Sequence, residues 1–520
     1  MKTTDKPIEE YLVDVIKIKR VGLCTKLFSK KFYDSLKFKL EDKVIELVSF
    51  ENDLVDQIWQ DKPKRVFNEV YSIENELLYE FYEANLKNYE DVLIKGDLSK
   101  STKLVHLKFE EKLKKVRKCI KDDEMLIITE LDTISWLFNL RGSDIEYNPV
   151  FYSYAAITQK DCKLFLNGKL RDNDTIKDIN NNDISTSLFA ILKYDDFDSF
   201  LNEIKETVVF SGSCNAYISL KFPNSKTIDD IRKLQSIKGI EEIEGFNLAY
   251  ICDGIALTRL FEIIEKNYKC FTEKDVANKL HELKKSFKGY TGPSFSTIAG
   301  VGSNSAIVHY EAGDKPLENN QPLLIDSGSN YIFGTTDTTR TLFIGKPTVE
   351  FKNDFTRVLK GQLRAMTGIY PHNVTENVVD ALTRIDLWKN KEDYGHASGH
   401  GVGHFLCVHE SPPTLSPYGF GKISPSQIFS IEPGLYKDGE YGIRIENLVL
   451  SEDIGDKFMR FKNITYVPYQ LDLINLDLLT DEEIESLNGI SKEIRRVLEK
   501  YLKDTEGYEY LIKNTRKLSK

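Results

Sequence analysis

Two acidic residues stand where buried strands should run. In "LLIDSGSNYIFGTTDTTRT" (323–341), Asp326 lies inside an apolar stretch, and Asp337 follows in a second stretch beyond a Gly-containing turn. A hairpin turning near Tyr331 and Ile332 sets the two positions opposite each other across neighbouring strands. Facing like charges cost energy unless a cation lies between them or one takes up a proton. Two more acids share the pattern. Glu432 ends "IFSI" ahead of Pro433 and Gly434, and Glu446 in "GIRIENLVL" follows Arg444 by two residues, on the same face of a strand. Carboxylates seldom occupy buried strands unless they are paired or hold a metal. Arg444 can compensate Glu446, but not Asp326, Asp337 and Glu432 as well.

Nitrogen donors come from "HASGHGVGHFLCVHE" (396–410), where His396, His400 and His404 stand at i, i+4, i+8. That spacing would line a helix face. Gly395, Gly399, Gly401 and Gly403 thread the segment, and each costs about 1 kcal/mol in a helix interior. An extended or looping backbone follows, and there the spacing has no special meaning. Four carboxylates and one imidazole make a hard, oxygen-rich donor set, suited to a pair of manganese, cobalt or zinc ions rather than to a thiolate zinc site. Two such ions about 3.5–4 Å apart support hydrolytic chemistry. The Gly-rich "GVGSNS" (301–306) is not read as a phosphate loop, because the following "AIVHY" reads as a strand and not as a helix.

The elements that must position these residues fall into two textures. Residues 51–225 alternate helix and strand, with "TKLVHLKFEEKLKKVRKCIKDDE" (102–124) as a charged amphipathic helix and "MLIIT" as a buried strand. The basic run Lys112–Lys118 reads as a solvated helix face. Residues 226–466 open with helices, the third capped near Thr272, and continue as strands rich in Gly, Ser and Thr with helices around 350–368 and 374–389. A strongly bent sheet covered by helices fits them. The tail, 467–520, reads as two surface helices.

Composition sets the outer limits. A net charge of −10 argues against nucleic acid or an anionic membrane as partner, and no apolar run is long enough to span a bilayer. The first twenty residues alternate charge with apolar side chains, unlike a signal peptide. The seven scattered cysteines contain no CxxC pair, which points to a reduced intracellular setting.

Taken together, "LLIDSGSNYIFGTTDTTRT", "HASGHGVGHFLCVHE", "SIEPGLY" and "GIRIEN" resemble the motifs of the pita-bread metallopeptidases. "ISWLFNLRGSDIEYNPVFYSYAAI" and "AIVHY" narrow the resemblance to Xaa-Pro aminopeptidases of the eukaryotic cytosolic type. The resemblance implies an α/β (α+β) chain, with a creatinase/prolidase-like N-terminal α/β domain and a C-terminal pita-bread catalytic domain with a strongly bent antiparallel sheet. The family's long form carries an additional first domain, so 1–50 is expected as a remnant of it. The resemblance further implies two divalent metal ions, manganese by preference, with Asp326 on one, His400 and Glu432 on the other, and Asp337 and Glu446 bridging. His309, His396 and His409 are implied around the substrate with Glu432 as proton acceptor, and Arg444 as orienting the bridging carboxylate and shaping the proline side. The implied reaction is attack by a metal-bridging hydroxide on the first peptide bond of a substrate with proline at position two, in a homodimeric cytoplasmic enzyme. An Xaa-Pro dipeptidase (prolidase) and a catalytically inactive binding protein of the same fold are the alternatives. No role is implied for His404.

Overall fold

The computed structural model describes residues 8–14, 19–95, 99–167, 176–178, 183–184, 188–211 and 213–520. Contacts divide the chain into two units. The first comprises 1–74, 107–145 and 150–235, and the second 75–106, 146–149 and 236–520.

The first unit is built on a mixed six-stranded sheet. Its strands are β1 (Glu124–Ile128), β2 (Ser153–Ile157), β3 (Cys162–Leu166), β4 (Ala190–Lys193), β5 (Thr207–Phe210) and β6 (Lys226–Thr227), in the order β4-β3-β2-β1-β5-β6. β1 is buried along its whole length, as its unbroken apolar run requires of a central strand. Met125, Ile127, Phe165, Val208 and Phe210 form one core cluster with the buried Phe197. The helix expected over 102–124 is shorter: α1 spans Phe109–Arg117. Residues before it are held differently, since Lys103 bridges Leu77 and the Leu104 N–H donates to the Glu76 carbonyl. Lys112, read as solvated, is buried on α1 and donates to the Trp136 carbonyl (2.8 Å) and to Asn139 Oδ1 (2.6 Å). Helical period alone does not tell which lysine of a charged helix meets buried acceptors.

The second unit is organised around α2 (Ile240–Asn267), buried on nearly all sides along most of its length, as an apolar helix inside a core must be. α3 (Glu273–Lys284) carries a capping box between Thr272 and Asp275, as the sequence suggests. One sheet contains β7 (Tyr290–Gly292), β8 (Ile298–Val301), β9 (Gln321–Tyr331) and β10 (Gly334–Ile344), with β9 at the centre. α4 (Val349–Met366) and α5 (Glu376–Trp388) follow. The remaining strands are β11 (Ile369–Pro371), β12 (Gly399–Gly401), β13 (Glu410–Leu415), β14 (Ile428–Ile431), β15 (Gly434–Lys437), β16 (Tyr441–Arg444), β17 (Asn447–Gly455) and β18 (Phe458–Asn463). They form a six-stranded sheet, β11-β18-β17-β14-β12-β13, and a separate β15–β16 hairpin. Every strand pair described in this unit is antiparallel.

Two glycines show why a helix and a hairpin, and two strands, can approach so closely. A Cβ at Gly245 on α2 would lie 2.1 Å from the Phe333 carbonyl in the β9–β10 turn, and one at Gly399 would lie 1.9 Å from the Ser430 carbonyl on β14. Neither position has room for a side chain.

Three local expectations do not hold in the fold. "AIVHY" is not a strand: β8 ends at Val301, and a 3-10 turn over Gly302–Ala306 leads into a loop. "GIRIENLVL" breaks in two at Ile445–Glu446, and β14 and β15 are separated at Glu432–Pro433. Pro433 cannot donate to a ladder, and the Glu446 N–H leaves its own sheet to bond the Thr339 carbonyl on β10 (3.1 Å). The tail helices, α6 (Asp481–Leu502) and α7 (Tyr508–Asn514), are half-buried, α6 through Leu487, Ile494, Val497 and Leu498. Among the described residues no helix is long and apolar enough to cross a membrane.

Candidate metal centre

The β9–β10 hairpin turns through Ile332 and Phe333, with Tyr331 paired to Gly334. Its register pairs Asp326 with Thr339 and Gly328 with Asp337. The two acids are therefore not directly opposite, as the sequence suggested, but offset by two residues along the ladder. An even offset keeps them on one face. The other face is fixed by a buried charge. Asp253 of α2 accepts from Ser329 Oγ (2.8 Å), Tyr331 OH (2.8 Å) and Thr336 Oγ1 (2.6 Å), and its carboxylate lies 3.1 Å from Lys284 Nζ. Lys284 in turn donates to Ser327 Oγ (2.9 Å). The Tyr250 hydroxyl, one helical turn earlier, accepts from the Asp337 N–H (2.8 Å) and donates to its carbonyl (3.0 Å). The hairpin carrying both acids is thus pinned from behind by α2 and α3.

His400 lies on β12. Its N–H donates to Ser430 Oγ (3.0 Å), and Nδ1 lies 2.9 Å from the Gly401 carbonyl. A carbonyl only accepts, so Nδ1 carries the proton and Nε2 presents a lone pair. That Nε2 lies 3.4 Å from Asp337 Oδ2 and 3.4 Å from Glu432 Oε1. Glu432 follows β14 and accepts from Ser430 Oγ (3.2 Å). Glu446 accepts from Thr339 Oγ1 (2.9 Å). One donor atom each from Asp326, Asp337 and Glu446 lies within 4.8 Å of the others, and the same holds for His400, Glu432 and Glu446 and for Asp337, His400 and His409.

Arg444 departs from expectation. Its Nη2 lies 2.6 Å from Asp326 Oδ2, and it meets Glu446 only through the Thr339 hydroxyl, which accepts from Nε (3.3 Å). Nη1 donates to Tyr436 OH (2.8 Å). A guanidinium fork spreads over several acceptors where an ammonium would choose one.

The electrostatics favour a cation. Burial, and then the charges of Asp326 and Glu432, push the Asp337 carboxyl well above the usual carboxylate range. Burial followed by Asp337, Glu432 and Asp326 does the same to Glu446, and burial raises Glu432. Asp326 Oδ1 and Glu446 Oε1 are buried without a hydrogen-bond partner. Buried carboxylate oxygens left without donors are what a divalent ion satisfies. The donor set therefore fits two hard divalent metals.

Asp326, Asp337, His400, Glu432 and Arg444 line a cavity of about 690 Å³, together with His309, His396 and His409, as well as Phe295 and Tyr147. His309 and His409 are exposed, and the His409 ring stands edge-on to that of His400 at 4.2 Å. His396 is more engaged. Its Nδ1 lies 2.7 Å from the Ala397 carbonyl and its Nε2 2.8 Å from Tyr436 OH. Burial, then the Arg444 charge, pushes its pKa down to about 3. The ring is therefore neutral, with Nδ1 donating and Nε2 accepting from the phenol. His404 is buried elsewhere, its ring against Phe246 of α2. Sequence reasoning missed Tyr436, Thr339, Tyr250 and Asp253. Of these, only Asp253 left a signal, as a lone charge in the apolar "AYICDGIAL".

Residues 244–453 match the model of metallopeptidase family M24, residues 99–242 that of the creatinase/prolidase N-terminal domain, and residues 457–518 that of the C-terminal region of peptidase M24. A probable Xaa-Pro aminopeptidase P of Laccaria bicolor is 34% identical over 526 residues, covering 95% of this chain and 76% of that protein. The chain belongs to the Xaa-Pro aminopeptidase P family. A second aminopeptidase P relative, from Coprinopsis cinerea, is 33% identical over 537 residues, covering 95% of this chain and 81% of that protein. Among solved structures, the X-prolyl aminopeptidase of Caenorhabditis elegans, described as a cytosolic enzyme with a di-nuclear active site, matches with a TM-score of 0.87 at 27% identity, over 100% of this chain and 84% of that one. The expected family and fold class are thereby borne out. All five candidate ligands lie inside the segment that matches the family M24 peptidase model.

Proposed function

We propose that the chain is a dimetal aminopeptidase that hydrolyses the bond between a peptide's first residue and a proline at position two, releasing that residue. The observation that carries this reading is the convergence of Asp326, Asp337, Glu432 and His400 on a single cavity, with a carboxylate oxygen of the buried Glu446 within 4.8 Å of their donor atoms, in a chain of the aminopeptidase P family. Asp326, Asp337, His400, Glu432 and Glu446 would hold two divalent cations, manganese before cobalt or zinc. Bound there, the cations supply Lewis acidity to the scissile carbonyl and make a water acidic enough to attack near neutral pH.

The side chains divide the remaining work. Glu432, beside His400, takes the proton that the attacking water gives up. The carboxylates give the cavity a negative field that favours a protonated peptide amino terminus, which accounts for exopeptidase action. His309 and His409 line the cavity as donors and acceptors toward the scissile region. His396, held neutral, joins Tyr436 and Arg444 in a fixed wall on the proline side. Proline has no N–H for a peptidase to grip, so shape and carbonyl contacts must do the recognition. A cytoplasmic homodimer acting on peptides, without nucleic acid or membrane, completes the proposal. The cytosolic description of the Caenorhabditis elegans enzyme supports its location.

The test is incubation of the manganese-loaded chain with a peptide beginning Arg-Pro-Pro and identification of the products. Release of arginine from the longer peptide is expected. Cleavage of Xaa-Pro dipeptides alone would replace this reading with a prolidase-like dipeptidase, and tight metal binding without hydrolysis would replace it with an inactive binding protein.

A further inference from the structure

His309 sits on a largely exposed loop, in which Ala312 packs against the core. Between β8 and Pro316 the chain runs largely along the surface, with Ile307 52% exposed and both His309 and Glu311 exposed. One carboxylate gathers this loop. Glu273, the first residue of α3, is fully buried and accepts four hydrogen bonds, one from the end of β8 and three from the loop. The donors are the Val301 N–H (2.8 Å), Asn304 Nδ2 (2.9 Å), Tyr310 OH (2.7 Å) and the Gly313 N–H (3.3 Å). They come from both ends of the loop and from the residue next to His309. The backbone reciprocates: the Glu273 N–H donates to the Lys315 carbonyl (3.0 Å) and the Lys274 N–H to the Gly313 carbonyl (2.9 Å). Both belong to the first turn of α3, where helix N–H groups need outside acceptors. Glu273 is not among the residues lining the metal-site cavity, whereas Val308, His309, Tyr310 and Glu311 are.

We propose that Glu273 is a positioning residue, which fixes the loop so that His309 is held at the metal-site cavity. The proposal rests on the reading of His309 as a substrate-contacting group. An ionised carboxylate offers about four lone-pair sites, matching the four donors. Aspartate has the same acceptors on a stem one methylene shorter, and glutamine has the reach but brings protons of its own. Glutamine would turn half of the site into a donor facing Tyr310 and Gly313.

The test combines amide hydrogen exchange over 302–313 with kcat/KM on an Xaa-Pro peptide. It uses the wild type, Glu273→Ala, His309→Ala and the double variant, with manganese content recorded for each. Glu273→Ala is expected to speed exchange about tenfold or more in the loop while leaving β9 and β10 unchanged. It should lower kcat/KM about tenfold in the wild-type background and by less than about twofold in the His309→Ala background. Glu273→Gln should fall between the alanine variant and the wild type. Equal losses in both backgrounds, or unchanged exchange in the loop, would overturn the proposal. Should Glu273→Ala fail to fold, Tyr310→Phe and Asn304→Ala each remove one donor and replace it in the same cycle, where equal losses or unchanged exchange again overturn the proposal. If His309→Ala alone leaves kcat/KM unchanged, the part assigned to His309 falls, and exchange in the loop alone decides whether Glu273 anchors it.

Discussion

Arg444 Nη2 lies 2.6 Å from Asp326 Oδ2, and the same guanidinium donates to Tyr436 and Thr339. One planar cation thereby ties the candidate ligand Asp326 to the wall that holds His396. Arg444→Lys keeps the charge but cannot span these acceptors. It should retain metal and lose about tenfold or more in kcat/KM. Steady-state kinetics with metal analysis checks this, and full activity in the lysine variant would show that charge alone suffices.

The Asp253–Lys284 pair is almost wholly buried, with side chains 0% and 3% exposed. Removing one partner strands the other in the core, at a cost of about 3–5 kcal/mol. Asp253→Asn and Lys284→Met should each lower urea-derived stability by roughly that amount, while the double variant loses much less than the sum. Strict additivity would mean that the two do not act as a pair.

His396 carries a pH signature. Its pKa in the fold is pushed down to about 3, against about 6.5 in an unfolded chain. The group binds more protons unfolded than folded once the pH drops below the unfolded value, so its contribution is fully present above about pH 6.5 and is lost as pH falls toward the folded pKa. The wild type should therefore lose stability more steeply between about pH 6.5 and 4.5 than His396→Gln does, by up to about 1.4 kcal/mol per pH unit. Parallel curves would show that the ring titrates normally.

Crowded carboxylates destabilise the metal-free protein. Glu446→Gln removes one ionisable carboxyl from the group in which burial, and then neighbouring carboxylates, push Asp337 and Glu446 upward. In chelator, this variant should be at least as stable as the wild type. Manganese at about a hundredfold excess over its dissociation constant should stabilise the wild type by about 2.7 kcal/mol per site, and the variant by clearly less. Thermal unfolding with and without metal reads both effects.

Much of the centre was legible because chemistry left marks that burial patterns do not explain. Asp326 and Asp337 stand out as acids in apolar runs, and the glycines around His400 alone exclude the helical alternative. The register was not legible: one hairpin pairs Asp326 with Thr339 and Asp337 with Gly328, and only the turn through Ile332 and Phe333 fixes that offset. The partner of Arg444 is hidden in the sequence for a related reason. Two residues along a strand share a face, but the break at Ile445 and Glu446 sends Arg444 toward Asp326. Lys112 and Glu273 show a wider limit, since a charged residue on an amphipathic helix looks the same in sequence whether it meets water or a buried polar network.

Metal analysis of the manganese-reconstituted chain, run beside product analysis on the Arg-Pro-Pro peptide, tests most directly whether five side chains hold two divalent cations for hydrolysis of an Xaa-Pro bond. Two equivalents bound per chain, with arginine released and both lost together in Asp337→Ala, is the predicted result. Less than about one equivalent bound by the wild type, with no hydrolysis, would contradict it.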